Sequence, residues 1–244
     1  MNTTVLKTEA RLFAREPGSV FWVTVSPTLL LVILGLIPSF RKASDDLGGL
    51  RVIDLYVPVA VLFALIMAGL QAMPPVLTGY RERGILRRMS TTPVRPSALL
   101  TAQLLVHAAV ALVSAVLVVA AGRAAFGVRL PERPAGYALA LLLAVAAALA
   151  LGATICAVSR TQKAATAVGS AVFFPTMFTA GVWVPVQAMP EALRSIVQLT
   201  PFGAAAEALA DAAAGGRPAW THLGVTALWT ALLTWAAARW FRWE

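Results

Sequence analysis

Apolar residues run along this chain in six long segments, from about Val20 to Pro38, Leu55 to Thr78, Ala98 to Ala121, Gly136 to Val158, Ala164 to Val186 and Ala219 to Ala238. None holds an Asp, Glu, Lys or Arg, and each reaches the ~20 residues a helix needs to cross a hydrocarbon core at ~1.5 Å per residue. The pattern predicts an all-α, polytopic membrane protein with six transmembrane helices, forming one membrane domain over residues 1–244. Only Ser159-Arg160-Thr161-Gln162-Lys163 separates the fourth and fifth segments, so these two must form an antiparallel hairpin.

Three stretches fit no span. Residues 2–16 place Val5, Leu6, Glu9, Leu12 and Phe13 at helical spacing, with Lys7, Arg11 and Arg15 between them. This predicts an amphipathic helix in the membrane interface within residues 1–19. Residues 81–89 (Arg81, Glu82, Arg83, Gly84, Ile85, Leu86, Arg87, Arg88, Met89) predict a basic helix with Ile85, Leu86 and Met89 on one side, suited to lie across headgroups or a partner protein. Residues 185–201 are apolar but broken by Pro185, Pro190 and Pro201. They predict one or two short helices that dip into the outer leaflet or cap the bundle.

Charge sets the expected orientation. With the N-terminus inside, the inner segments hold 12 Lys and Arg and the outer loops 8. The bias puts both termini in the cytoplasm. Acids show the opposite trend, with Glu9, Glu16, Glu82 and Glu244 inside and the other seven outside. The first apolar run reads as a signal anchor, with no cleavable leader expected.

Composition agrees, at 59% hydrophobic and 13% charged, about half the ~25% of a soluble domain. The net charge of +9 does not indicate nucleic acid, because the arginines fall in short clusters between apolar runs. The single Cys156 excludes an intramolecular disulfide and reads as a small buried hydrophobe. No phosphate-binding G-x-x-x-x-G-K-[ST] loop occurs. Ser114, Ser170 and Thr179 have no His or Lys at useful spacing, and His107 and His222 have no partners at metal-ligand spacing. Neither catalysis nor a metal site is expected.

Several residues carry two readings. Gln71 and Gln103 lie within apolar runs and either line a substrate path or hydrogen-bond between helices. His107, in the third segment, is either a functional group at membrane depth or a neutral His bonded to a neighbouring helix. Phe173, Phe174, Phe178 and Trp183 stripe the fifth segment and either line an apolar substrate surface or pack. Glu207 and Asp211, at i and i+4, either attract a cationic substrate or form a solvated face. Trp235, Trp240 and Trp243 read as an interfacial anchor.

The run Arg81-Glu82-Arg83-Gly84-Ile85-Leu86-Arg87-Arg88-Met89 with Thr92-Pro93-Val94 resembles the E-R/K-G-T-L-x-R-L…T-P-V signature of ABC-2 type transporter permeases. Arg15-Glu16-Pro17, Ser159-Arg160-Thr161, Gly181-Val182-Trp183-Val184-Pro185, Met189-Pro190-Glu191, Thr200-Pro201-Phe202 and Glu207-Ala208-Leu209 follow in that family's order. The flavour is that of daunorubicin-resistance-type drug exporters. Ile85 departs from the family's usual small residue there.

The resemblance implies a bacterial inner-membrane permease that forms a dimer through its first and fifth spans. It pairs with two copies of a separate ABC ATPase subunit, which binds ATP and Mg, so this chain needs no cofactor and is not itself an enzyme. Residues 81–89 would be the coupling helix, and the cargo a hydrophobic drug, antibiotic or lipid-like molecule. Ion-coupled secondary transport is the competing reading. It usually calls for intramembrane acids or an inverted repeat, whereas all eleven Asp and Glu here fall in expected loops or tails. A non-transporting membrane assembly factor is a third; it would not require both the basic helix and the 185–201 segment.

Overall fold

The computed structural model describes residues 3–43, 49–89 and 96–241, and these are nearly all helical. In chain order the helices are α1 (Thr3–Ala14), α2 (Pro17–Gly35), α3 (Val52–Glu82), α4 (Ile85–Met89), α5 (Pro96–Phe126), α6 (Pro134–Val158), α7 (Gln162–Thr179), α8 (Glu191–Val197), α9 (Pro201–Ala213) and α10 (Trp220–Trp240). All six apolar segments are helical. By length and composition, four of them (α2, α3, α5 and α6) are long and apolar enough to cross a membrane. α7 stops at Thr179 rather than Val186, and α10 dilutes its Leu and Ala with Trp, Thr and His222.

α3 is the core of the bundle. Its most apolar stretch is 83% buried, against 28% for α2 and 33% for α5. It packs against α2, α5, α6, α7 and α9, while α10 lies along α6 and α1 along α5. Lipid tails are as apolar as side chains, so close backbone contact must hold such helices together. Gly69 of α3 and Gly152 of α6 supply it. A methyl group on either would overlap backbone of the facing helix, at the Ala148 carbonyl for Gly69 and the Gly69 carbonyl for Gly152.

Two π-turns interrupt the helices, at Phe21–Val25 in α2 and Met67–Ala72 in α3, and they touch one another. Proline accounts for both. Pro27 has no N–H to offer the Val23 carbonyl, and Pro74 none to offer Leu70. The orphaned Val23 carbonyl instead accepts the Ser114 hydroxyl of α5 at 2.8 Å. At the start of α3, Arg51 grips Asp54 at 2.6 and 2.9 Å and donates to the Phe126 carbonyl at 3.0 Å, fixing this end to the end of α5.

The 185–201 stretch forms a 3-10 turn (Val186–Ala188) and then α8. α9 follows as a further helix, with the Thr200 hydroxyl capping its N-terminus and Pro201 in its first turn. Most of α9 is buried, because its alanines let it press against α6 and α3.

Candidate functional site

The basic helix expected over residues 81–89 is divided. α3 runs on through Glu82, the chain turns at Arg83-Gly84, and α4 covers Ile85–Met89. Gly84 makes the break with φ +65°, a conformation that L side chains rarely adopt. The apolar side of α4 also turns inward, with Leu86 buried and Ile85 and Met89 half-buried, while Arg83 and Arg88 are exposed. Intramolecular packing takes up the apolar face that the sequence offered to a partner. The Arg87 side chain and Thr92-Pro93-Val94 lie outside the described residues.

Arg81 and Glu82 point into the chain's own helices. Arg81 Nη1 donates to the carbonyls of Cys156 (3.0 Å) and Ser159 (2.9 Å) at the end of α6, and its guanidinium lies 4.7 Å from the centre of the Phe241 ring. The Glu82 carboxylate accepts the Gln162 backbone N–H at 2.9 Å, at the start of α7. A cation thus meets the negative end of one helix dipole and an anion the positive end of another. Arg83 folds back, donating to the Gly79 carbonyl at 3.1 Å.

Beside this turn lies a buried polar cluster. Glu9 of α1 is only 6% exposed. It accepts hydrogen bonds from the Tyr80 hydroxyl at 2.9 Å and from Gln103 Nε2 at 2.5 Å. His107, also buried, meets the Gln103 carbonyl through Nδ1 at 2.9 Å and the Phe13 ring edge-on at 5.5 Å. Burial holds the Glu9 carboxyl above its ordinary range, against the opposing pull of the Tyr80 and Gln103 donors. Glu9 therefore belongs to the packed interior rather than to a tail, and Gln103 is an interhelical bonding residue.

A lateral groove of 640 Å³ opens between α2, α3 and α7. Both π-turns line it, through Trp22 and Val23 on one side and Met67, Gln71 and Ala72 on the other. α7 contributes Ser170, Phe173, Phe174 and Met177, and Trp183 stands at the edge. Phe174 stacks on Trp183 at 6.5 Å and meets Phe173 edge-on at 5.6 Å. Of the five residues expected along a substrate path, Gln71, Phe174 and Trp183 share this groove. Gln103 lies in the Glu9 cluster, and Phe178 faces outward on α7, off the groove lining.

At the opposite end, Glu207 is buried and not part of a solvated face. It accepts from Arg194 (2.8 Å), Gln198 (3.0 Å) and Gln187 (3.3 Å), fastening α8 and the turn before it onto α9. Asp211 lies 3.9 Å from His222 Nδ1. Burial, and then the neighbouring Glu207 charge, hold its carboxyl above the ordinary range. Cys156 is fully buried beside Met73 and Leu77, as expected of a small hydrophobe. Trp235 and Trp240 are exposed on α10, and Trp243 lies outside the described residues. Among the described residues no group of His, Cys, Asp and Glu could hold a metal ion.

A core helix ringed by apolar helices, with a lateral groove and a charged turn at one end, defines a multi-pass membrane protein. The ABC-2 type transporter family matches residues 2–213, so the chain belongs to that family. It is a transporter permease subunit, and membership implies association with an ABC ATPase partner. No curated protein matches the chain.

Proposed function

We propose that the chain is the membrane half of an ATP-driven exporter for hydrophobic or amphipathic molecules, with ATP hydrolysed on a separate subunit. The observation that carries this is the pairing of the aromatic lateral groove with a short helix, α4, which exposes Arg88 and is joined to the groove-forming α3 through Gly84. The groove presents rings, two thioethers, two hydroxyls and one amide, but no Asp, Glu, Lys or Arg. Such a lining suits apolar cargo and broad selectivity.

α4 with Arg83 and Arg88 is the segment offered to the ATPase, two copies of which serve two copies of this chain. The copies meet through α2 and α7, where Phe21, Trp22, Leu29, Ile33, Phe174 and Phe178 are exposed. The second copy closes the groove on its open side. All six apolar helices span a bacterial cytoplasmic membrane, with both termini and α4 inside. An Arg217→Cys variant then reacts with an impermeant maleimide on intact cells and a Lys163→Cys variant does not. The reverse labelling overturns the orientation.

Buried ionisable groups, Glu9, His107 and Glu207, are what favours ion coupling. Export of a lipophilic dye from energised cells separates the two. Under ATP-driven transport, ATP depletion stops export and collapse of the proton gradient at constant ATP leaves it running. Ion-coupled transport gives the opposite pattern.

A further inference from the structure

We propose that Arg81 and Glu82 are positioning residues that clamp the α6–α7 hairpin to the last turn of α3, so that α3 and α7 move as one body. The inference rests on the coupling role proposed for α4.

Adjacent, oppositely charged residues on one helical turn meet two opposite helix poles. Arg81 reaches two carbonyls at the end of α6, and Glu82 the first N–H of α7. All three bonds require α3 and the hairpin to be in register. The fit continues below the charges, where Gly79 of α3 packs so closely that a methyl there would lie 3.1 Å from Gln162 Oε1. Higher up, a methyl on Gly169 of α7 would lie 2.9 Å from the Leu70 carbonyl of α3. α3 and α7 thus touch at two levels and are charge-locked at one end.

These helices are also two of the three walls of the groove. α2, the third wall, leads back to α1, which is fixed to α3 and α5 by Glu9. Gly84 lies immediately beyond the clamp, so displacement of α4 reaches α3 and α7 together. The groove then changes shape by motion of the α3–α7 pair against α2, not by separation of α3 from α7. Arg81 and Glu82 act within the chain and need not touch the ATPase.

The test places a cysteine at Ser170, on the α7 wall, in a Cys156→Ala background. Its reaction rate with N-ethylmaleimide is followed in the reconstituted complex, nucleotide-free and after trapping with ATP and vanadate. ATPase binding is measured in parallel by co-purification. Trapping changes the rate in the parent. Glu82→Lys puts a cation at the α7 N-terminus on an exposed position and folds without disturbing the core. It abolishes the trapping response while the ATPase still binds and hydrolyses ATP. Arg81→Ala does the same, and Arg81→Lys, which can still donate to the α6 carbonyls, restores the response. A normal response in Glu82→Lys overturns the clamp. So does lost ATPase binding with a normal response in the complexes that remain, which assigns Glu82 to the subunit contact. If Gly84→Pro and substitutions in α4 also leave the response intact, the coupling reading itself fails.

Discussion

The Tyr80 hydroxyl, one residue before Arg81, donates to the Glu9 carboxylate 2.9 Å away. Tyr80, Arg81 and Glu82 are consecutive, and each fastens a different helix: α1, α6 and α7 in turn. The end of α3 is therefore a junction, and α1 is part of it.

That junction is pH-dependent. Burial holds the Glu9 carboxyl above its ordinary range, so between the ordinary and the raised value docked α1 keeps a proton that undocked α1 releases. Docking is strongest below the ordinary carboxyl range and weakens as pH rises through the raised value. Hydrogen exchange of the α1 amides in nanodiscs, corrected for intrinsic rates, should show protection falling over that interval. Both bonds fall on Glu9 Oε2, so Glu9→Gln keeps an oxygen that can accept them without a titrating group, and should flatten the dependence. An unchanged profile in Glu9→Gln assigns the effect to another group.

The crossing of α3 and α6 tolerates no side chain. Gly152→Ala should destabilise by ~1–3 kcal/mol, the usual range for overpacking. Gly224→Ala, where a methyl meets nothing within 4 Å, should be neutral or gain up to ~1 kcal/mol of helix propensity. Thermal unfolding in detergent compares the two. Equal behaviour would mean that α3 and α6 do not approach as described.

At the far end, Glu207→Ala strands three donors. Arg194 is partly exposed and can turn to water, so the loss should be ~1–3 kcal/mol, as for an unsatisfied buried group. Glu207→Gln should cost less. Proteolysis within α8 reads the effect directly, and unchanged cleavage in Glu207→Ala would show that Glu207 does not hold α8.

Within the groove, Trp22→Ala and Phe174→Ala should change which dyes are exported. Phe178→Ala should not shift selectivity, because its ring lies off the lining. Equal shifts from all three would move the binding surface to the outer face of α7.

The apolar runs disclosed the helices because chain-long hydrophobicity has one use. They did not disclose which helix is central, since α3 is no more apolar than α5 or α6. That role follows from the Gly69–Gly152 crossing, a long-range match that no periodicity records. The π-turns had a local signal in Pro27 and Pro74-Pro75, each inside an apolar run. The basic cluster falls at a turn, but charge alone does not say whether an arginine faces a partner or caps a helix 75 residues away, as Arg81 does. Glu9 and Glu207 were misplaced for the same reason. Their burial depends on partners distant in sequence, and the i, i+4 spacing of Glu207 and Asp211 indicated a helix face but not that α9 is packed.

In the proposed mechanism, ATP hydrolysis on the separate subunit reaches the groove through α4 and Gly84. The most direct measurement is accumulation of a lipophilic fluorescent dye in inverted vesicles holding this chain and its ATPase subunit. ATP, a non-hydrolysable analogue and an imposed proton gradient are compared, for the parent and for Gly84→Pro. Proline cannot adopt the positive φ seen at Gly84. Accumulation should require ATP, ignore the gradient, and vanish in Gly84→Pro although the complex still assembles. Accumulation driven by the gradient alone, or normal ATP-driven accumulation in Gly84→Pro, would contradict it.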